Sequence, residues 1–345
     1  MSKSVRVIRF HKTGGPEVLK VEEITLPEPR GTEVSVRVLA IGLSRVDALW
    51  REGRYFEEPR LPAGIGCCAA GVVDSIGPEV QTVKVGDHVS TIPAAALSEY
   101  TAHGEMIVYP EQALFVHPSS LDSQGAVAVN TGLFGAYFAL AELSGAQPGQ
   151  YVVITAASSS MGVGAIQVAR RLGAKTIVVT RSESKKQGLS AAGADYILVA
   201  GTDDVQGAIL DVTKDEGADI VYDGVGGPGL EELVWATRRF GRLVVYGCLG
   251  AMEEATRLPL GACFLRGLNL HPTFKIFDFT GHRRLSIPPN RAAVDRARRF
   301  VFDGLNEGAF QPKVDRIFTG LDQYAAAHEY MATDKQIGKI VVSLE

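Results

Sequence analysis

Tyr151-Val152-Val153-Ile154-Thr155, then Ala156-Ala157-Ser158-Ser159-Ser160-Met161-Gly162, and finally Thr176-Ile177-Val178-Val179-Thr180-Arg181 decide the fold of this 345-residue chain. The first run is short and β-branched, the pattern of a strand buried on both faces of a parallel sheet. A turn of small residues follows it. At the spacing G-x-G-x-x-G the turn holds Ala157, Ser159 and Gly162, so one glycine of three survives. Small side chains still let a backbone approach a pyrophosphate, whose charge is stabilised by free N–H groups at a helix N-terminus. Serine hydroxyls add donors. Ser158, Ser159, Ser160, Met161, Gly162 and Val163 are therefore the candidate phosphate contacts. From Gly162 to Ala169, with Leu172 beyond, the apolar spacing fits a helix packed on a sheet, and Gly173 ends it.

The second strand ends where a dinucleotide site that prefers NAD places Asp or Glu for the ribose 2′-hydroxyl, and here stands Arg181. Thr180, Ser182 and Lys185 add two hydroxyls and a second cation. Arg binds a 2′-phosphate bidentately and Lys as a point charge, so the expected cofactor is NADP(H). The alternative for Ser184-Lys185-Lys186-Gln187 is an ordinary solvated helix start.

Apolar residues make up 46% of the chain and charged residues 21%, with no low-complexity tract, which implies a globular protein with room for two domains. A net charge of −4 gives no electrostatic argument for nucleic acid or an anionic membrane. No apolar run approaches the ~20 residues of a membrane span. The start, Met1-Ser2-Lys3-Ser4-Val5-Arg6, lacks a signal-peptide core, so a cytoplasmic protein is expected. The four cysteines, Cys67, Cys68, Cys248 and Cys263, read as reduced thiols rather than a disulfide framework.

The dinucleotide unit sits in mid-chain, so another domain precedes it. Segments 6–10, 19–23, 33–39, 71–75 and 88–92 read as strands punctuated by Gly14-Gly15-Pro16, Pro27-Glu28-Pro29 and Gly86-Asp87. An alanine-rich helical stretch over 125–145 leads to the turn Gln147-Pro148-Gly149. Past Thr180 the alternation of strand and helix continues through 196–199, 220–223 and 242–246. The loops Asp223-Gly224-Val225-Gly226-Gly227 and Tyr246-Gly247-Cys248 follow strands, so Val225, Gly226, Tyr246 and Gly247 are expected at the carboxyl edge beside the cofactor. A helix over 291–304, a strand at 315–318, a helix carrying Tyr324, His328 and Met331, and a strand at 339–344 close the chain.

Individual segments carry a family likeness. Gly14-Gly15-Pro16-Glu17-Val18-Leu19, Gly77-Pro78-Glu79-Val80 through Val85-Gly86-Asp87-His88-Val89, Asp223-Gly224-Val225-Gly226-Gly227 and Ile337-Gly338-Lys339-Ile340-Val341 resemble the quinone oxidoreductase branch of the medium-chain dehydrogenase/reductase superfamily. The resemblance covers nearly the whole chain. It implies an α/β fold: a Rossmann doubly wound parallel sheet plus a β-rich, GroES-like catalytic domain. The expected organisation is a catalytic domain over 1–125, an NADP-binding domain over 126–290 and a return to the catalytic domain over 291–345.

Zinc-dependent members of the superfamily place a cysteine at the position of Ser44 and Gly-His-Glu where this chain has Gly66-Cys67-Cys68. No metal is expected, since a catalytic zinc needs about three good protein ligands. Without a Lewis acid, the chemistry the resemblance implies is hydride transfer to an α,β-unsaturated carbonyl or a quinone, whose developing oxyanion a hydroxyl stabilises. Ser44, in the loop that faces the nicotinamide in relatives, is the first candidate catalytic residue. Tyr55 is the second; it either caps the substrate and donates a proton or packs on the core. Asp47 is expected to fix a turn or pair with Arg45 or Arg51 rather than act as an acid.

Two departures from the branch, Gly135 in place of a threonine and the small-residue run 66–71, suggest an enlarged pocket. Two other functions stay open: an alcohol dehydrogenase holding metal through Cys67, and a cofactor-binding tailoring or regulatory protein without net redox turnover. The apolar segment Leu265 to Phe279 suggests an edge strand pairing in a homodimer, or a lid.

Overall fold

The computed structural model describes residues 3–250 and 257–345. The chain divides into two compact units, residues 1–131 with 280–345, and residues 132–279.

The first unit begins with β1 (Lys3–Phe10), β2 (Lys20–Leu26) and β3 (Glu33–Gly42), then α1 (Arg45–Arg51), β4 (Ala63–Gly64), β5 (Ala69–Ile76), β6 (His88–Thr91), β7 (Met106–Pro110) and β8 (Leu114–Val116). Val34, Val36 and Val38 alternate along β3 and are all buried, which is why this strand becomes the spine on which β5 and β7 pair antiparallel. Ile8, Phe10, Trp50, Ile65 and Tyr109 close the core around it.

The helix α2 (Ser123–Tyr137) continues through a wider π-type turn, Phe138–Leu143. Together they run 21 residues and are apolar enough to cross a membrane by length and composition. Sequence reading finds no such run because Gln124, Asn130 and Glu142 interrupt it; 78% of its most apolar stretch is buried inside the protein, as in a core helix.

The second unit holds β9 (Tyr151–Ile154), α3 (Ser160–Arg171), β10 (Lys175–Thr180), α4 (Lys186–Ala191), β11 (Tyr196–Val199), α5 (Val205–Val212), β12 (Ala218–Asp223), α6 (Leu230–Trp235), β13 (Thr237–Val245), α7 (Leu260–Arg266), β14 (Asn269–His271) and α8 (Phe277–Thr280). The strand order is β11-β10-β9-β12-β13-β14, and each pairing is parallel. This is the doubly wound order, whose direction of winding reverses between β9 and β12, the place where such sheets bind ligands.

The segment Leu265 to Phe279 is not one edge strand. Its start belongs to α7, Gly267 in the left-handed region ends that helix, and only Asn269–His271 joins the sheet, at its edge. Phe274 and Phe277 are buried, and Phe279 stacks on Phe138 at 4.8 Å. The exposed bulk lies in α7, in Leu260, Phe264 and Leu265.

The chain returns to the first unit with α9 (Arg291–Asn306), β15 (Val314–Thr319), α10 (Tyr324–Ala332) and β16 (Lys339–Ser343). β16 lies antiparallel to β3 and completes a seven-stranded sheet.

Candidate active site

In the second unit, the phosphate turn leaves β9 through Thr155 and enters α3. Ser159 is the N-cap, its hydroxyl accepting from the Gly162 amide at 3.0 Å. The first-turn amides of Ser160 and Met161 have no acceptor within the helix and remain as anion donors. Gly162 is required here. A Cβ on it would come within 2.5 Å of the Ala157 carbonyl oxygen and 2.6 Å of that of Ala156.

Lys185 reaches back from the segment after β10 to donate to Ser158 Oγ at 2.9 Å, so the structure brings a cation to the phosphate turn. Arg181 stands exposed directly after β10, Thr180 is buried, and the Ser182 hydroxyl pairs with that of Ser184 at 2.7 Å.

Asp223, at the end of β12, organises the facing loop. Its carboxylate accepts from Thr155 Oγ1 at 2.5 Å, the Val225 amide at 3.1 Å and the Gly226 amide at 2.7 Å. Burial raises its pKa against those hydrogen bonds. Tyr246 stacks on Tyr222 at 4.1 Å and engages Ser159. A Cβ on Gly247 would sit 2.6 Å from the Gly224 carbonyl oxygen, so close loop approach explains this glycine. Asp223 and Thr155 were legible only as an acid and a hydroxyl at strand ends; their pairing needed the β9–β12 neighbourhood.

In the first unit, Ser44 precedes α1. Asp47 Oδ2 accepts from the Ser44 amide at 2.7 Å and fixes that turn. The expected arginine pairs do not form: Arg45 bonds Asp334, and Arg51 donates to Gly14 O and Glu52. Asp47 is fully buried, its Oδ1 lacks a partner of ordinary geometry, and desolvation raises it to about 7 although the Ser44 amide, the Lys339 ammonium and the Cys67 amide all favour its ionised form. Ser44 Oγ accepts from Lys339 Nζ at 3.0 Å.

Tyr55 packs edge-on against Trp50 and tilted against Phe56, at 6.3 and 4.2 Å. Burial, with smaller contributions from Cys67, Glu57 and Asp47, pushes its phenol well up. That weakens it as an acid.

The positions that suggested an enlarged pocket are themselves packed by protein atoms. A Cβ on Gly135 would meet Met161 Cε at 2.7 Å and Ile276 Cδ1 at 3.2 Å, so protein already fills that space. Gly66 makes room for the His103 ring and Gly71 for the Arg37 carbonyl, while Cys68, Ala69 and Ala70 are buried.

Two family profiles match: an alcohol dehydrogenase GroES-like domain over residues 30–147 and a zinc-binding dehydrogenase over 160–278. A quinone oxidoreductase from Pseudomonas aeruginosa is 32% identical over 337 residues, 97% of this chain and 98% of that protein. The chain belongs to the quinone oxidoreductase-like branch of the medium-chain dehydrogenase/reductase superfamily. Like other proteins of that branch it is an oxidoreductase with a Rossmann-type sheet and a GroES-like domain. A 2-haloacrylate reductase from a Burkholderia species is 29% identical over 96% of this chain and 97% of its own length. The Escherichia coli quinone oxidoreductase in complex with NADPH superimposes with a TM-score of 0.84 at 25% identity, over 98% of this chain and 100% of that one.

Zinc, which one profile's description names, takes thiolate, imidazole or carboxylate donors. The residues at the superfamily's ligand positions do not suit it. Ser44 Oγ already accepts from an ammonium, burial pushes the Cys67 thiol well above its ordinary value, and Cys68 Sγ donates to the Val127 carbonyl at 3.5 Å. Among the described residues, no group of three or more His, Cys, Asp and Glu is placed to hold a metal.

Lys339 is the site residue sequence reasoning missed. In the sequence it stands within Ile337-Gly338-Lys339-Ile340-Val341; a lysine opening an otherwise apolar strand is the available signal, but its partner depends on register.

Proposed function

We propose that this oxidoreductase is an NADPH-dependent, metal-independent reductase of α,β-unsaturated carbonyls or quinones. The observation that carries the proposal is the Lys339–Ser44 hydrogen bond: a hydroxyl engaged by a cation, at the position where zinc-dependent members carry a metal ligand.

The phosphate turn suits a dinucleotide, since Gly162 lets the turn fold closely onto the first turn of α3, whose amides stay available to an anion, and Lys185 adds positive charge at Ser158. Ser158 to Val163 would hold the pyrophosphate, Thr180, Arg181, Ser182 and Lys185 the 2′-phosphate, and Val225, Gly226, Tyr246 and Gly247 the rest of the cofactor. Bound NADPH would supply a hydride, and water the proton that completes the reduction. Ser44 then donates a hydrogen bond to the acceptor oxygen as negative charge develops there, and Tyr55, held neutral, shapes the apolar side of the acceptor site. We further propose a homodimer that acts on small molecules in the cytoplasm.

The test is consumption of NADPH and of NADH with a panel of enones and quinones, with and without chelator. Turnover preferring NADPH and indifferent to chelator is expected. No turnover on any acceptor, or loss on chelation, overturns the proposal.

A further inference from the structure

The pairing Val341↔Gly42, Val342↔Ile41 and Ser343↔Ala40 fixes the register of β16 on β3, and the Leu43 amide carries it one step further by donating to the Ile340 carbonyl at 3.0 Å. Continued by one more residue, that register sets Lys339 opposite Ser44. The lysine is 1% exposed. Its stem runs where a side chain at position 42 would otherwise be: a Cβ on Gly42 would come within 2.6 Å of Lys339 Cε, 3.0 Å of Val127 Cβ and 3.2 Å of Cys68 Sγ. The sequence Ile41-Gly42-Leu43-Ser44 thus provides both the gap for the lysine and the oxygen it reaches.

Burying an ammonium is costly unless it is paired and hydrogen-bonded. An ammonium kept only for stability would close onto the neighbouring carboxylate, and Asp47 Oδ1 is buried with no partner of ordinary geometry. Lys339 donates to a neutral hydroxyl instead. An ammonium has donors and no acceptor, so Ser44 Oγ must accept from it, and the hydroxyl proton is free of that contact. A cation on the oxygen makes its O–H a stronger donor.

We propose that Lys339 is a positioning residue for the reduction: its buried ammonium, donating to Ser44 Oγ, makes the Ser44 hydroxyl a fixed, polarised donor to the oxygen on which negative charge develops. This rests on Ser44 meeting the acceptor, as proposed above. Asp47, which holds the Ser44 backbone through Oδ2, completes the arrangement.

The test compares wild type, Lys339→Met, Ser44→Ala and the double variant in NADPH-dependent reduction of an enone. Each single substitution is expected to lower kcat about 100-fold, as loss of one oxyanion donor does, with the KM of the acceptor and the Kd of NADPH within a few-fold of wild type. The double variant is expected to be no slower than Ser44→Ala, because the lysine acts only through the serine. Losses that multiply, or a Lys339→Met enzyme as fast as wild type, overturn this role while leaving the reductase proposal intact; a wild type that reduces no acceptor overturns both. A second readout needs no turnover. Carboxyl NMR of the cofactor-free protein is expected to show the Asp47 midpoint move up in Lys339→Met, since the ammonium, with the Ser44 and Cys67 amides, holds it down against burial; an unmoved midpoint contradicts the contact.

Discussion

Lys185 Nζ donates to Ser158 Oγ over 2.9 Å, tying the segment after β10 to the phosphate turn after β9. On the proposed reading this pair faces the 2′-phosphate of NADPH. Lys185→Ala and Arg181→Ala are each expected to weaken NADPH binding roughly 10- to 100-fold, the value of one charge-assisted hydrogen bond, and to leave NADH binding nearly unchanged. Fluorescence titration with both nucleotides checks this, and equal losses for the two would argue against a 2′-phosphate site.

Gly162→Ala is expected to destabilise the protein by about 1–3 kcal/mol and to impair dinucleotide binding, because its Cβ would press on the Ala156 and Ala157 carbonyls with no flexible side chain to give way. The control is Gly145→Ala, where a Cβ meets nothing within 4 Å and the cost is only that of a positive φ, 58°. Thermal melts with and without NADPH separate the two.

Asp47 gives a pH dependence of known sign. Its folded pKa, about 7, lies above the ordinary 3.8, so the folded state binds the proton more tightly than the unfolded chain. The stability it contributes is complete below about pH 4 and is lost as pH rises towards 7, with a slope approaching about 1.4 kcal/mol per pH unit. Asp47→Asn keeps an acceptor for the Ser44 amide and is expected to flatten that slope in urea unfolding between pH 5 and 8. An unchanged slope would show that Asp47 ionises as it does in water.

Leu260, Phe264 and Leu265 are 67%, 86% and 63% exposed, and they lie in α7, just ahead of the edge strand β14. A homodimer that covers them is expected in light scattering at micromolar concentration, and Phe264→Glu is expected to give a folded monomer. A monomeric wild type would remove the dimer proposal.

The doubly wound sheet was legible because its strands are apolar runs with small-residue turns at their carboxyl ends, and Tyr151 to Arg181 shows both features within 31 residues. Local pattern also placed Ser44 before a helix and gave Asp47 its turn. Register and non-local packing were not legible. Lys339 meets Ser44 across 295 positions of sequence, and Gly66, Gly71 and Gly135 looked like missing bulk until His103, Arg37, Met161 and Ile276 were seen to occupy the space. The segment after Leu265 does hold the edge strand β14, but how much of its apolar bulk is buried was not legible, as Phe274 and Phe277 show.

The most direct measurement follows the label from NADPH deuterated at C4 of the nicotinamide into the product of an enone, using protein dialysed against chelator and checked for zinc by elemental analysis. Deuterium at the β-carbon of the saturated product, at an unchanged rate in metal-free protein, is the expected result. Deuterium at the carbonyl carbon, or activity that returns only when zinc is added, would contradict a metal-independent reductase of conjugated double bonds.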